Sequence, residues 1–205
     1  MKENEYIFVT EFNDRSMRDF YNKFMELEAA DHVSVIPVYI SSYGGEVYSL
    51  IAMRDIIKSS TKPVMTVVLG KAFSCGILLS AAGTKGLRFI SPDSELMIHE
   101  VSSWTSGTTT TIQHDAKGIA ELNEKVMRNL ANDSGISYER IRKELNSRNN
   151  NDWYISSNEA VKLGFADIVA IPRQSVEAPK VKIDIKLTPP AKKAKKKVAK
   201  NKKSR

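Results

Sequence analysis

Residues 63–83 read PVMTVVLGKAFSCGILLSAAG. A β-branched run closes on Gly70, and a second apolar run of small residues closes on Gly83. The first half predicts a strand over 63–70, and the second a short helix over 74–83 that is apolar on every side and therefore buried. Ser74 falls at the junction. Upstream, VSVIPVYISS (33–42) is β-branched and nearly all apolar, as in a strand buried on both faces. Pro37 removes one ladder donor there and predicts a bulge or an edge. Gly44 and Gly45 then form a turn, and a helix is expected from about Glu46 to Ser60.

The same alternation extends outward. Tyr6 to Thr10 is a short β-rich run, followed by Met17, Phe20, Tyr21, Phe24, Met25 and Leu27 at helical spacing, with Asn13 or Asp14 placed to cap. Downstream, LRFIS (87–91) and SELMIH (94–99) read as two strands around a Pro92-Asp93 turn. VSSWTSGTTTT (101–111) has β and turn character, and residues 114–132 put Ile119, Leu122, Val126, Met127 and Leu130 on one helical face. Then come a helix over 137–145, the polar loop NSRNNND (146–152), the strand WYIS, a helix opened by Ser157 or Asn158, and a last strand ADIVA (166–170). Units of 25 to 30 residues predict an α/β fold of stacked βα layers in a single domain.

Charge separates the chain into two parts. The formal charge of +7 over 205 residues is concentrated in PPAKKAKKKVAKNKKSR (189–205), which holds eight Lys, one Arg and no acid. Residues 1–188 therefore carry +7 minus 9, or −2. We assign residues 1–172 to the folded domain and 173–205 to a Lys-rich linker and tail expected to be disordered. Such a tail meets polyanions only through counterion release, and it holds no aromatic residue for base stacking, so nucleic-acid contact is expected to be non-specific. Its bland reading is a solvated, solubilising extension. The longest uncharged apolar run, AFSCGILLSAAG (72–83), is too short for a bilayer, and Met1 leads into Lys2-Glu3-Asn4-Glu5 rather than an apolar signal core. A cytoplasmic protein with no membrane contact is the expectation. One cysteine, Cys75, excludes an intrachain disulfide, and His32, His99 and His114 lack the short spacing of a zinc motif, so neither metal nor cofactor is expected.

Four places carry chemistry. Ser74 opens a helix at the end of an apolar strand, where backbone N–H groups favour developing negative charge. A serine there is a nucleophile or an ordinary N-cap, and Ala72 stands where a G-x-S-x-G elbow needs glycine. His99 ends the run ELMIH at the rim of a sheet, as a general base or a structural hydrogen-bonding group. Asp152 lies between a polar loop and an apolar strand, as a functional carboxylate or a turn residue. Gly44 and Gly45 end a buried strand, as a plain turn or as a backbone held close to a substrate oxygen.

Together, YISSYGG (39–45), GKAFSCG (70–76), ELMIHE (95–100) and NDWYISSNEAVKLGFAD (151–167) resemble the proteolytic subunit of the Clp protease. The resemblance covers about residues 5–171. It implies a crotonase-like spiral and a serine endopeptidase acting through an acyl-enzyme. Ser74 would be the nucleophile, His99 the base and then acid, Asp152 the group that fixes the imidazole, and the N–H groups of Gly45 and Cys75 the oxyanion hole. It further implies a homo-oligomer of stacked rings, joined through about residues 101–132, that receives unfolded proteins from a ring ATPase of the AAA+ unfoldase type. Only about four residues precede the first strand, where the family has a longer segment that contributes to ATPase docking. Tyr43 replaces a family Pro, Phe73 and Cys75 replace a small residue and Met beside the serine, and Val101 replaces a Pro. The polar loop before Asp152 is also longer than the family's, which leaves Asp133 and Asp167 as alternative partners for His99.

Two other classes compete with that reading. An acyl-CoA hydratase-like enzyme of the same spiral fold would need catalytic carboxylates, for which Glu46 and Glu100 are the nearby candidates. A non-catalytic ring subunit or scaffold with a basic arm would not need the Ser-His-Asp set.

Overall fold

A computed structural model of the chain describes residues 5–148 and 152–172. Strand β1 (Ile7–Val9) leads into helix α1 (Asp14–Ala29), β2 (Ile36–Ser42) into α2 (Val47–Ser59), and β3 (Val64–Phe73) into α3 (Cys75–Ala81). Two strands, β4 (Arg88–Ile90) and β5 (Glu95–Ile98), precede the long α4 (Thr109–Ser134) and α5 (Tyr138–Ser147). β6 (Trp153–Ser156), α6 (Ser157–Leu163) and β7 (Ile168–Val169) complete the order. The expected α/β fold with a parallel-strand sheet is present. The linker and tail lie outside the described residues.

Five strands run in the order β1-β2-β3-β4-β7, each neighbouring pair parallel. β5 departs from that path by pairing with the far end of β3, and β6 adds antiparallel to β5. The fork has one cause. β3 pairs with β4 over Thr66–Val68 and with β5 over Lys71–Phe73, and between them Gly70 takes φ 75°. That region is open to glycine at little steric cost. Gly70 therefore bends the strand instead of ending it, and β3 runs on to Phe73 rather than stopping at 70 as its composition suggested.

β2 lies between β1 and β3, and Pro37 pairs with Met65 in register without a bulge. Pro37 precedes the first β1 partner, Ile7↔Val38, so it stands at the unpaired start of the strand on that side, where a missing donor is tolerated. The register shift in β2 occurs further on, between Ile40 and Ser42. All seven residues of α3 are buried, and Gly76 lets it seat closely: an added Cβ would lie 3.4 Å from the Ala72 Cβ and 3.5 Å from the Ser42 carbonyl oxygen.

Three local expectations are corrected. Residues 101–108 form no strand, because no strand among the described residues pairs with them, and Trp104 is 84% exposed. α4 begins five residues early because the Thr108 hydroxyl accepts from the Thr111 N–H, and its core face is formed by Val126, Met127 and Leu130, with Ile119 and Leu122 only half-buried. His114 thus lies inside that helix with an exposed side chain instead of at its end. α6 is capped by Ser156, not Ser157 or Asn158. The Ser157 hydroxyl is committed elsewhere, donating to the Pro92 carbonyl at 2.7 Å.

Candidate active site

The corner between β2, β3 and β5 gathers four of the five candidate residues. Ser74 is the residue between β3 and α3, and it is the one non-glycine with positive φ among the described residues, at φ 54° and ψ −117°. Strained backbone of this kind costs about 1–3 kcal/mol and persists where surrounding structure holds it. The hold is visible. The Ser74 N–H donates to the Met97 carbonyl at 2.9 Å, and Gly44 presses so closely that an added Cβ would lie 2.8 Å from the Ser74 Cβ and 3.2 Å from its Oγ.

The ordinary reading of such a serine is an N-cap, and the geometry speaks against it. Asn13, Thr108, Ser137 and Ser156 each accept a backbone N–H at the start of their helices, whereas the Ser74 side chain caps nothing. Its hydroxyl is left for other chemistry.

Gly45 stands across from it. An isolated parallel bridge joins Phe12 to Gly45 and engages the Glu46 N–H, which donates to the Phe12 carbonyl at 2.8 Å. Gly45 has φ 149°, and a Cβ there would meet the Phe12 carbonyl oxygen at 2.3 Å, so only glycine fits. The Cys75 Sγ donates to the Gly45 carbonyl at 3.3 Å and ties the two segments together. Cys75 is also the first residue of α3, where the N–H has no intrahelical acceptor. Burial pushes the Cys75 thiol pKa up, and hydrogen bonding with Gly45 and Ser74 offsets only part of that shift. It stays a neutral thiol, which removes it as a competing nucleophile.

His99 follows β5 directly and shares with Ser74, Cys75 and Gly45 a cavity of about 50 Å³. Val47, Val101 and Ser102 line both this cavity and a neighbouring groove of about 490 Å³ that runs past Tyr48 and Trp104. The His99 Nδ1 is hydrogen-bonded to the Glu100 carbonyl. A carbonyl can only accept, so Nδ1 carries a proton, and in the neutral imidazole Nε2 is then the nitrogen with the lone pair.

Asp152 does not line the cavity, and its Oδ2 accepts from the Tyr154 hydroxyl at 3.3 Å. The strand register nevertheless relates it to His99. β5 and β6 pair antiparallel as Met97↔Tyr154 and Ile98↔Trp153, and the same register carried one residue past both strands would oppose His99 and Asp152. Directly opposed antiparallel residues have Cα atoms about 4.5–5.5 Å apart. The alternative acids are committed elsewhere. Asp133 takes Arg54 at 2.7 and 3.1 Å and Lys58 at 2.9 Å. Asp167 takes the Arg88 Nε at 2.9 Å and the Gly86 N–H at 2.7 Å. Burial would raise the Asp167 pKa, but the Arg88 hydrogen bonds and charge and the Gly86 N–H outweigh it, and the net shift is downward.

Glu46 precedes α2 and its carboxylate accepts from the Ser49 hydroxyl at 3.3 Å, while the Glu100 side chain does not take part in the cavity's hydrogen bonds. Two participants carry no sequence signal as such: the Glu100 carbonyl, which any residue type supplies, and the Tyr154 hydroxyl, whose bond follows only from β6 alternation. Among the described residues no group of three or more His, Cys, Asp or Glu is arranged to hold a metal ion, and no helix is long and apolar enough to cross a membrane. Set against known protein families, residues 1–173 of this chain match the family model described as Clp protease.

Proposed function

Because the chain belongs to the Clp protease family, we propose that it is a serine-type endopeptidase cleaving peptides and unfolded proteins through an acyl-enzyme, with Ser74, His99 and Asp152 as the catalytic set. The observation that carries this is the Ser74 hydroxyl, freed from capping on a strained backbone and sharing one cavity with His99, Cys75 and Gly45. In the first step the Ser74 Oγ attacks the scissile carbonyl carbon while His99 Nε2 takes its proton. The carbonyl oxygen becomes an oxyanion between the N–H groups of Gly45 and Cys75. The C–N bond then breaks and the imidazolium gives its proton to the leaving amine. Water, deprotonated by the same nitrogen, cleaves the ester and returns the proton to Ser74.

Asp152 enters by stabilising the imidazolium. The Glu100 carbonyl already holds the Nδ1 proton, but a neutral dipole stabilises a cation less than a carboxylate does. An exchange of Nδ1 from that carbonyl to the opposed Asp152 accompanies catalysis in this proposal, with Tyr154 releasing the carboxylate. We further assign residues 1–172 to the peptidase domain and 173–205 to the tail, and we propose a cytoplasmic homo-oligomer of stacked rings served by an AAA+ unfoldase.

A fluorophosphonate separates this reading from its competitors. It is expected to label the full chain at Ser74, and Ser74→Ala is expected to lose both the label and peptide cleavage, with a rate drop of about 10³-fold or more. Cleavage retained in that variant, or an unlabelled wild type that binds a CoA thioester, would defeat the assignment.

A further inference from the structure

The peptide unit that carries the Gly45 N–H joins two glycines, Gly44 at φ 111° and Gly45 at φ 149°. With no Cβ on either side, such a unit can rotate about its long axis at little steric cost, and its N–H would then point elsewhere. It serves an oxyanion only if the neighbouring units hold it in place. The following unit is held at both polar ends: the Glu46 N–H donates to the Phe12 carbonyl at 2.8 Å, and the Gly45 carbonyl accepts from the Cys75 Sγ at 3.3 Å. The preceding unit is held by one side chain. Its Gly44 N–H donates to the Ser42 Oγ at 3.0 Å.

Ser42 is the last residue of β2, past the register shift that follows Ile40, and it pairs with Ala72, two residues before Ser74. It is completely buried. A substrate does not reach its hydroxyl, so any effect on the reaction passes through Gly44. The bland reading is a serine turn that ends a strand. Two observations go beyond it. Gly44 presses on the nucleophile, since an added Cβ would lie 3.2 Å from the Ser74 Oγ, so the placement of Gly44 bears on the serine as well as on Gly45. The N–H groups of Gly44 and Glu46 are also committed to Ser42 and Phe12, neither of which lines the cavity, while Gly45 between them does.

We infer that Ser42 is a positioning residue: by accepting the Gly44 N–H it fixes the Gly44-Gly45 peptide so that the Gly45 N–H faces the forming oxyanion. The inference rests on the peptidase reading above and adds to it a residue that does not meet the substrate. Without the Ser42 oxygen the Gly44 N–H loses a buried acceptor, and the glycine pair is free to turn it toward another. Binding of the uncharged substrate changes little, because the Gly45 donor matters most once charge has developed on the carbonyl oxygen.

The test compares Ser42→Ala with Ser42→Thr in the full-length protein, using an internally quenched peptide as substrate. A peptide boronic acid, which forms a tetrahedral adduct on a serine, serves as the transition-state mimic. Fluorophosphonate titration to completion counts intact sites, so each rate is expressed per working enzyme. Ser42→Ala is expected to lower kcat by about 10-fold to 10²-fold with KM within about twofold, a smaller loss than the roughly 10²-fold to 10³-fold that follows removal of an oxyanion donor outright. Boronic acid affinity is expected to fall by about 10-fold or more. Ser42→Thr keeps a hydroxyl that can accept the same N–H and is expected to recover most of the lost rate. Ser42→Cys, close in size and a weaker acceptor, keeps the measurement decisive should alanine fold poorly, and its kcat is expected to fall as well. Unchanged kcat per site in Ser42→Ala or Ser42→Cys, or a loss that appears only in KM, would overturn the inference. So would an equal loss in Ser42→Thr and Ser42→Ala, because packing rather than the hydrogen bond would then be at work. A wild type that neither takes the fluorophosphonate at Ser74 nor cleaves peptide fails the peptidase reading itself, whereas a labelled wild type with an indifferent Ser42→Ala fails this inference alone.

Discussion

Two polar regions of this chain are built on opposite rules. Around Arg88 and Arg54, every carboxylate oxygen of Asp167 and Asp133 has a donor: Asp167 binds the Arg88 guanidinium and two backbone N–H groups, and Asp133 binds Arg54 and Lys58. Arg88 also reaches the Asp133 carbonyl at 3.1 Å and joins the two. Around Ser74 the backbone is strained, the hydroxyl caps nothing, and the imidazole is held at Nδ1 by the Glu100 carbonyl. Complete satisfaction favours a fixed structure; a group left without its usual local partner is free to act on something else. The sequence held acids and hydroxyls in both regions, and only their partners tell the regions apart.

The largest expected effect lies in the satisfied region. Arg88 is 4% exposed and Asp167 19% in their side chains, so Asp167→Ala leaves a nearly buried guanidinium without its main partner and is expected to cost about 3–5 kcal/mol of unfolding free energy. Its pH signature has a definite sign. The folded carboxyl titrates below its ordinary value of about 3.9, so the contribution is complete above that pH and disappears as pH falls through the folded pKa. Denaturant midpoints measured from pH 6 down to 2 are expected to fall more steeply for the wild type than for the variant. Equal slopes would break the contrast, and so would loss of fluorophosphonate labelling in a variant still folded at neutral pH.

A middle-sized effect is expected at Asp152. In a triad where the carboxylate alone orients the histidine, replacement by Asn lowers turnover by about 10⁴-fold, because the wrong tautomer results. Here the Glu100 carbonyl already sets the tautomer. Asp152→Asn is therefore expected to lower kcat by only about 10-fold to 10²-fold, with little change in KM. A drop near 10⁴ would show that Asp152 takes over the orienting role completely, and no drop would remove it from the catalytic set.

Much of this was legible because the two periodicities are local. Strand β5 ends one residue before His99, α2 follows the Gly-Gly turn, and α3 is apolar all round, each as its composition dictates. What escaped was set by partners distant in sequence. Gly70 reads as a stop, yet it is a bend because β4 and β5 both need β3. Residues 101–108 read as β-rich, yet a strand requires a neighbour, and none of the described strands supplies one. Ser157 reads as a cap, but the Pro92 carbonyl claims its hydroxyl and Ser156 takes over. Asp133 and Asp167 read as alternatives to Asp152, and their cationic partners on α2 and β4 lie far from them in sequence. The uncapping Ser74 hydroxyl is the same kind of fact, since nothing in GKAFSCG distinguishes a capping serine from one that caps nothing.

That last distinction yields the smallest and cleanest comparison. Ser156 and Ser74 both stand at the start of a seven-residue helix, and only the Ser156 hydroxyl accepts a backbone N–H, from Glu159 at 3.4 Å. Removing a capping hydroxyl costs about 0.5–2 kcal/mol. With its long acceptor distance and exposed setting, Ser156→Ala is expected near the low end of that range, with peptide cleavage retained. Ser74→Ala removes no cap and keeps a Cβ in the same strained backbone, so its unfolding free energy is expected within about 0.5 kcal/mol of the wild type while activity disappears. Chemical denaturation of the two variants side by side reads both numbers. If Ser74→Ala proved the less stable of the pair, its hydroxyl would be holding the structure after all, and loss of cleavage in that variant would no longer speak for a nucleophile.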